Sequence, residues 1–562
     1  MTDAPQKPKN QSPTSPGPSA EGPITVATIA AAERLAGLCF DPGERTQMLA
    51  TIADQVALLR ARRGAALEAD LVPATGFDPR LPTTAPPRRA RFRPPRVNVG
   101  RLPRRDADIA FAPLARLAGW LKRRRITSAR LTELYLERLG TIGAALDCVI
   151  TLTAERGRAE AARADHEIAA GRYLGPLHGV PWGAKDLLDT AGIATTWGAA
   201  PFRDRVPARD AAVIRLLDAA GAVLVAKTSL GALAWGDVWF GGVTRNPWHR
   251  DEGSSGSSAG SAAAVVAGLV GFALGSETHG SIVSPCVRCG ATGLRPTFGR
   301  VPRVGAMTLA WSLDKIGPIC RGVGDTALAL RAINAHDPAD PGSRAVPLAF
   351  DAGRDVAGAR VGYDPAWFAD AAEGERAALD ALRRLGVDPV AIALPDLPYA
   401  TLTLIVDAEA AAAFEALTLD GRDDRLVRQE PDAWPNRFRQ ARFIPAVDLI
   451  QAERLRRKAM LVMDDAFANL DAMIGPGLSE PMLTITNMTG HPSLTLRAGF
   501  GSRPARTIGG GGTAPAPIIE APYGVTLWGR LYDEGTILNL GLALEAAFGV
   551  AERRPPLGGD PP

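Results

Sequence analysis

The chain has few of the residues that build disulfide frameworks and metal sites. It contains five cysteines and six histidines in 562 residues, which is too few cysteines for a disulfide framework. Cys286 and Cys289 form a C-x-x-C pair, but a zinc site needs a second pair of ligands, and only Cys320 follows. No two histidines have the four-residue spacing of a metalloprotease helix. We therefore expect no metal and no cofactor, and we interpret Cys286 and Cys289 as small buried residues in a tight turn.

The chain also lacks a strong net charge and a long apolar run. A net charge of +4 at this length gives no attraction of the whole protein to nucleic acid. The longest apolar run, residues 262–275, is too short and too rich in Gly and Ala to span a membrane. Residues 1–23 carry no apolar segment of the kind found in signal peptides. We expect a cytoplasmic protein with neither nucleic acid nor a membrane as a partner.

Composition divides the chain into five segments. Residues 1–23 are polar and Pro-rich, so we expect a disordered tail. Residues 24–66 show helical spacing of apolar residues, which predicts a helical N-terminal extension. Residues 67–105 form a Pro- and Arg-rich linker, residues 106–553 the main domain, and residues 554–562 a flexible tail.

The linker concentrates positive charge. Nine arginines and no acidic residue lie between residues 80 and 105. A nucleic-acid arm would use such charges, but the segment lacks the repeated alternation of basic and aromatic residues that favours stacking on bases. We therefore interpret it as a segment that lies across acidic faces of its own protein. In residues 122–125, positive charge suits the end of a helix.

The main domain alternates helical patterns with short β-like runs, which predicts an α/β fold with a central sheet. Thr127 is placed to cap a helix, as Asp41 is before Pro42. The patterns predict helices over residues 109–139 (two helices), 154–170, 375–385 and 448–468, and strands over residues 179–182, 222–226, 482–486 and 493–497.

Two serines and one lysine stand in contexts that suit acyl transfer. Ser257 and Ser281 lie in two Gly- and Ser-rich loops, which residues 262–275 are predicted to connect as one buried helix, and Lys185 ends the apolar run GVPWGAK. A lysine can take a proton from a hydroxyl only when it is neutral, which burial among apolar neighbours favours. Ser257 could then relay a proton from Ser281 to Lys185, and its Gly-Ser-Ser context permits an unusual or cis backbone. We expect the neighbouring Asp186 to point elsewhere.

Other interpretations of this stretch stay open. Ser- and Gly-rich clusters are usually plain loops, and a phosphate-binding loop would need a lysine that is missing here. The segment GSSAG also matches the nucleophile elbow G-x-S-x-G, with Ser258 as the nucleophile. That interpretation needs a later acid and a histidine, and it leaves Lys185 and Ser281 without a role. The histidines available to it are His279, His336 and His491.

These residues resemble the amidase signature family. The matching segments are GPLHGVPWGAKDLLDTAGIATTWG (175–198), GAVLVAKTSLGALA (221–234), NPWHRDEGSSGSSAGSAAAV (246–265), GSETHGSIVSPCVRCGATGLRPTFGRV (275–301), SLDKIGPICRGVGDTALAL (312–330) and NMTGHPSLTL (487–496). The resemblance covers roughly residues 106–548. It implies an amidase signature fold, in which helices surround a mixed central β-sheet, and it makes residues 106–553 the amidase domain.

The resemblance also implies a site. Lys185, Ser257 in a cis peptide and the nucleophile Ser281 would form the catalytic triad, and they would hydrolyse an amide through an acyl-enzyme without a metal or cofactor. The competing lysine, Lys227, falls at the end of a core strand and is left out. The oxyanion hole would consist of the backbone N–H groups of Thr278, His279, Gly280 and Ser281.

The chain departs from the family pattern at several positions near this site. Ser255 and Ala259 replace glycines, which removes no reacting group. Many members have an arginine where this chain has Val283, and Glu277 replaces the usual aspartate, so we expect altered pairing around the oxyanion loop. The ring of His279 could line the pocket, but a structural role is favoured.

The substrate is not predicted by these motifs. We expect an amidase that hydrolyses a small-molecule amide, with pocket walls from residues 346–469, and we leave a homodimer open. An alternative is a glutaminase-type A subunit of an amidotransferase complex, because residues 29–63 resemble the small C subunit of the tRNA-dependent amidotransferases. A third alternative is a non-catalytic scaffold of the same fold.

Overall fold

The structure is a computed structural model that describes residues 22–63, 75–85, 91–506 and 517–557. The predicted N-terminal tail up to residue 21, parts of the linker and the last five residues lie outside the described residues. Among the helices of the described ranges, none has the length and apolar character needed to cross a bilayer.

An eleven-stranded mixed sheet forms the centre of the molecule. Its strands in chain order are β1 (Val149–Leu152), β2 (Pro181–Lys185), β3 (Val223–Thr228), β4 (Phe272–Glu277), β5 (Thr292–Arg295), β6 (Lys315–Cys320), β7 (Arg360–Tyr363), β8 (Asp388–Ala391), β9 (Ala472–Pro476), β10 (Ser493–Pro504) and β11 (Ile518–Gly529). The spatial order is β8-β7-β9-β11-β10-β5-β6-β4-β2-β3-β1. The neighbours β2–β3, β2–β4, β7–β8 and β7–β9 are parallel, and the other pairs are antiparallel.

Helices cover this sheet. They are α1 (Val26–Ala36), α2 (Pro42–Arg63), α3 (Asp106–Ala110), α4 (Leu114–Lys122), α5 (Ser128–Arg138), α6 (Ala154–Ala169), α7 (Ala212–Ala219), α8 (Ala259–Val266), α9 (Val283–Cys289), α10 (Val323–Ile333), α11 (Glu373–Arg384), α12 (Thr403–Ala413), α13 (Glu415–Leu419), α14 (Trp434–Ala441), α15 (Ala446–Ala466), α16 (Met482–Thr489) and α17 (Glu534–Phe548). Every residue of β2, β3 and β6 is buried, as expected for strands covered on both faces. The predicted fold class, a mixed central sheet surrounded by helices, is confirmed.

Local capping signals in the sequence are confirmed where they were specific. Thr127 Oγ1 accepts a hydrogen bond from Arg130 N at the start of α5. Asp41 Oδ1 accepts from Gly43 N and Glu44 N at the start of α2.

In the linker, Phe92–Arg93 pair in parallel with Phe350–Asp351. The division of the chain into domains stays a prediction.

The prediction of a strand at residues 482–486 is wrong, because this segment belongs to helix α16. The hydroxyls of Thr486 and Thr489 donate to the carbonyl groups four residues earlier, and Gly490 ends the helix at φ +79°. A short buried apolar run cannot be assigned to a helix or a strand by periodicity alone.

The single helix predicted over residues 262–275 is also wrong. Helix α8 ends at Val266, Gly268 follows at φ +64°, and strand β4 begins at Phe272. Likewise, Cys286 and Cys289 lie in the short helix α9 and not in a tight turn, although both are buried as expected. Gly290, at φ +69°, ends that helix.

Candidate active site

Lys185 ends strand β2, and its side chain is fully buried. Its Nζ lies 2.7 Å from Ser257 Oγ, 3.1 Å from Ser258 Oγ and 2.9 Å from Ser276 Oγ. The carbonyl oxygen of Ser276 is 3.4 Å away. Sequence reasoning missed Ser276, because only the parallel pairing of β2 with β4 brings it beside Lys185.

The surroundings of Lys185 favour a neutral amine. Burial lowers the pKa of Lys185 to about 7, although the negative charges of Asp314 and Glu277 act in the opposite direction. A lysine with this pKa is neutral in a large fraction of molecules at neutral pH, so it can accept a proton.

Ser257 follows a cis peptide bond, Gly256–Ser257, as the resemblance implies. A side chain at Gly256 would place its Cβ 1.8 Å from the carbonyl oxygen of Gly236, so this position requires glycine. Ser257 is buried beside Lys185. The backbone N–H of Ser258 donates to the carbonyl oxygen of Ser281 at 3.1 Å, which joins the two serine loops directly. Ser281 remains 9% exposed.

Ser258 has a structural setting. Its Oγ accepts from the backbone N–H of Ser276 at 3.1 Å, and it donates to the carbonyl oxygen of the same residue at 3.1 Å. The side chain has no exposed surface on which a substrate could lie. In the described ranges, His336 and His491 bond to Ser343 and Thr489 and not to Ser258. The nucleophile-elbow interpretation is therefore not favoured.

The loop from Thr278 to Ser281 presents its backbone amides without internal partners. Among the hydrogen bonds of the described residues, none is donated by the N–H groups of residues 278–281. Gly280 adopts φ +88°, which favours glycine. Thr278 Oγ1 donates to Asp314 Oδ1 at 2.6 Å, which fixes one end of the loop. Such N–H groups can stabilise a developing oxyanion.

The ring of His279 is held by a neighbouring helix. Its Nε2 lies 2.9 Å from Thr484 Oγ1 in α16, and Thr484 Oγ1 in turn bonds to Glu480. Burial lowers the pKa of His279 to about 4. The ring is therefore neutral at neutral pH, and its contact with α16 is a structural one.

Glu277 supports the same loop from behind. Its Oε2 accepts hydrogen bonds from the backbone N–H groups of Ile282 and Val283 at 2.7 and 3.0 Å. Its Oε1 accepts from Arg295 Nη1 at 2.7 Å and from Asn487 Nδ2 at 2.9 Å. Both charged side chains are fully buried. In this structure the basic partner of Glu277 is Arg295.

The charge of Glu277 is stable in this setting. Burial raises its pKa, but the positive charges of Arg295 and Lys315 outweigh burial and lower the pKa to about 2. Sequence reasoning named Glu277 but missed Arg295 and Asn487. The available signal for Arg295 was a charged residue directly after the small and apolar run of residues 291–294, since a charge that becomes buried needs a partner.

Lys227, another buried lysine, has a partner of its own. Lys227 Nζ lies 2.9 Å from Asp186 Oδ1 and donates to Thr195 Oγ1 at 2.7 Å. The other oxygen of Asp186 accepts from the N–H and hydroxyl of Thr196. Asp186 therefore points away from Lys185, as expected, and Lys227 is engaged in an ion pair.

A cavity lies beside Ser276 and the start of the loop 278–281. Its polar lining includes Ser276, Thr278 and Asp314, and its apolar lining includes Leu187, Met307 and Trp311. All the residues that line it lie between positions 187 and 340, and Ser257 and Ser281 are not among them. The expectation that residues 346–469 form the walls of the substrate pocket therefore stays a prediction. Residues of that middle segment line a second cleft, which shares Trp311 and Arg303 with the first. No group of three or more metal-binding side chains occurs in the described part of the chain.

Comparison with known proteins shows the family of the chain. The amidase family model matches residues 130–538. Two curated relatives are A subunits of glutamyl-tRNA(Gln) amidotransferases. The one from Anaeromyxobacter dehalogenans is 32% identical over 75% of this chain and 94% of the relative, and the one from a Roseiflexus species is 33% identical over 78% and 96%.

Solved structures give the same result. The native peptide amidase from Stenotrophomonas maltophilia has a TM-score of 0.66 and 29% identity over 79% of this chain and 98% of its own. A chain from a vestigial complex that reveals the origins of an s-triazine catabolic enzyme has a TM-score of 0.68 and 28% identity, covering 77% and 98%. The family match spans most of the chain, and the chain therefore belongs to the amidase signature family, whose enzymes act on C–N bonds.

Proposed function

We propose that the chain cleaves a carboxamide through an acyl-enzyme on Ser281. The observation that carries the proposal is the 2.7 Å contact between the buried Lys185 Nζ and Ser257 Oγ, together with the hydrogen bond from Ser258 N to the Ser281 carbonyl. Lys185, with its lowered pKa, therefore lies beside Ser257, and the loop of Ser257 is bonded to that of Ser281. This arrangement supports activation of a serine by a neutral lysine.

The proposed reaction uses only groups of this chain. Ser281 attacks the amide carbonyl, Ser257 takes the proton from Ser281 and gives its own to neutral Lys185, and the proton returns to the leaving amine. The N–H groups of residues 278–281 stabilise the tetrahedral oxyanion, at about 3 kcal/mol per donor. Water then attacks the acyl-enzyme and gives its proton through Ser257 to Lys185. The proton returns to Ser281 as the acid leaves.

Two roles share this chemistry, and the comparisons favour one of them. The curated relatives are named as amidotransferase A subunits, which supports a glutaminase-type subunit that delivers ammonia to a partner. A stand-alone amidase of small-molecule amides remains the second candidate, because a solved structure of similar fold and 29% identity is a peptide amidase. Residues 29–63, which resemble the C subunit of the tRNA-dependent amidotransferases, cover most of helix α1 and all of helix α2. These two helices are joined by a bond between Arg45 and Glu33 at 2.8 Å.

A comparison of substrates separates the two roles. An amidotransferase component is expected to hydrolyse glutamine. The rate of this hydrolysis by the full chain should increase when a candidate partner protein is added. Hydrolysis of amides graded by acyl size, at a rate that no partner changes and with no glutamine turnover, would instead support the stand-alone amidase. A protein whose Ser281 never becomes covalently labelled would support the non-catalytic scaffold.

A further inference from the structure

The long hairpin formed by β10 and β11 ends beside the loop that precedes Ser257. The two strands stay paired from Ser493↔Trp528 out to Pro504↔Ile518. At this outer end, Arg503 and Arg506 turn toward two buried carboxylates, those of Glu252 and Asp237. Both carboxylates hold the chain that leads into the cis peptide.

Glu252 is the first of these carboxylates. It is fully buried, and its oxygens accept hydrogen bonds from Arg503 Nη1 and Nη2 at 2.6 and 2.8 Å. The backbone N–H of Arg506 adds a bond at 2.7 Å, and Arg288 and Asn246 donate from the other side at 2.8 and 2.7 Å. A two-pronged guanidinium–carboxylate contact fixes orientation as well as distance. Glu252 lies one residue before Gly253, where the loop that carries Ser257, the serine loop, begins.

Asp237 is the second carboxylate, and it touches the serine loop itself. Its Oδ2 accepts from the backbone N–H of Ser255 at 2.8 Å and from Arg506 Nη1 at 2.7 Å. A Cβ at Gly253 would lie 2.3 Å from the same oxygen, so the loop wraps closely around this side chain. Ser255 is separated from Ser257 only by Gly256.

We propose that Arg503 and Arg506 are positioning residues for Ser257, which act through Glu252 and Asp237. The inference rests on the proposed function, since Ser257 matters as a proton relay only there. Arg506 donates a hydrogen bond to Asp237, and Asp237 accepts one from the backbone N–H of Ser255. The position of Ser255, followed by Gly256, in turn determines where the Ser257 hydroxyl lies relative to Lys185. A displacement of about 1 Å at a reacting group costs on the order of a hundredfold in rate, so loss of this support is expected to slow acylation without removing any reacting group.

The test compares an arginine at the outer end of the hairpin with one of similar exposure that bonds to the hairpin from the C-terminal segment. Arg506 is 42% exposed, and Arg553, which pairs with Glu520 of the same hairpin at 2.5 Å, is 44% exposed. Arg506→Met and Arg503→Met remove the proposed support. Arg553→Met removes a hairpin ion pair that does not contact the serine loop, and Arg506→Lys retains the charge near Asp237.

The measurement is the rate and the final extent of Ser281 labelling by a fluorophosphonate probe, followed by mass spectrometry of the full chain. The expected result is a labelling rate at least about tenfold lower in Arg506→Met and Arg503→Met, partial recovery in Arg506→Lys, and an unchanged rate in Arg553→Met. The final extent should stay complete in all four variants.

Two results would overturn the inference. One is a wild-type rate in Arg506→Met. The other is a reduced extent of labelling at an unchanged rate, which would mean that the variant merely lowers the folded fraction. A wild-type chain that is not labelled at all would instead contradict the proposed function, so the two failures are distinguishable.

Discussion

Lys185 is the residue on which the proposed chemistry depends, and its environment predicts a pH dependence. Its pKa falls from 10.5 to about 7 because its ammonium form is buried. Above pH 7 the amine is mostly neutral and can accept the proton of Ser257; below pH 7 it is mostly protonated and cannot. We expect the rate of acylation to rise with pH through about 7 and to level off above it, with a decrease of about tenfold per pH unit on the acid side.

A profile of probe-labelling rate from pH 5 to pH 9 checks this prediction. A flat profile, or a rate that still rises about tenfold per pH unit between pH 8 and pH 9, would mean that Lys185 is not the base. His279 cannot account for a midpoint near 7, because its pKa is lowered to about 4 by burial.

At the residue scale, the sequence identified the groups with special contexts and missed those with ordinary ones. Lys185 ends an apolar run, and Ser257 and Ser281 follow glycines, so each carries a local signal. Ser276 sits in an unremarkable strand context, and its role depends on a neighbour 91 residues away. The choice of Ser257 over Ser258 came from the family resemblance, and the structure adds that the hydroxyl of Ser258 bonds to the backbone of Ser276 in β4.

At the scale of elements, Glu277 links strand β4 to helix α9 and sets the shape of the oxyanion loop between them. Glu277→Gln leaves Arg295 buried without a charge partner, which typically costs about 3–5 kcal/mol in the free energy of unfolding. It also weakens the bonds to the N–H groups of Ile282 and Val283. We expect a lower free energy of unfolding at pH 7 and slower labelling of Ser281, measured by denaturant unfolding and by probe kinetics.

The sign of the pH effect gives a second check on Glu277. Its folded-state pKa, about 2, is below its ordinary value of 4.5, so its contribution to stability is fully present above pH 4.5 and is lost as the pH falls toward 2. The wild-type chain should therefore lose more unfolding free energy than Glu277→Gln between pH 4.5 and pH 2. Equal losses in both proteins would contradict the role of this ion pair.

Elements were predicted well where a specific residue marked their ends, and poorly where only apolar periodicity was available. Thr127 and Asp41 gave correct helix starts through their capping bonds. The first residues of strand β4 were predicted as part of a helix, because they and the residues of α8 form one Ala- and Gly-rich apolar run. The turn at Gly268 that separates them is one glycine among several in that run, and sequence alone does not show which of them adopts positive φ.

At the scale of the whole molecule, the fold class and the family were predictable because the matching motifs are contiguous in the chain. The order of the eleven strands was not, since it depends on pairings between distant segments. The arginine partners of the buried carboxylates near the site were not predictable for the same reason. Arg295 bonds to Glu277, which is 18 residues away in the chain, and Arg503 bonds to Glu252, which is 251 residues away. The substrate stays a proposal, because the cavity lining does not by itself identify the acyl group.

Covalent labelling of Ser281 tests the central claim most directly. The wild-type chain, Ser281→Ala and Lys185→Met are incubated with a fluorophosphonate, and the modified residue is located by mass spectrometry. Modification of Ser281 alone in the wild type, none in Ser281→Ala and a rate lowered by a factor of at least about a thousand in Lys185→Met are the predicted results. Modification of Ser258 in the wild type, or equal labelling of Lys185→Met and the wild type, would contradict the account.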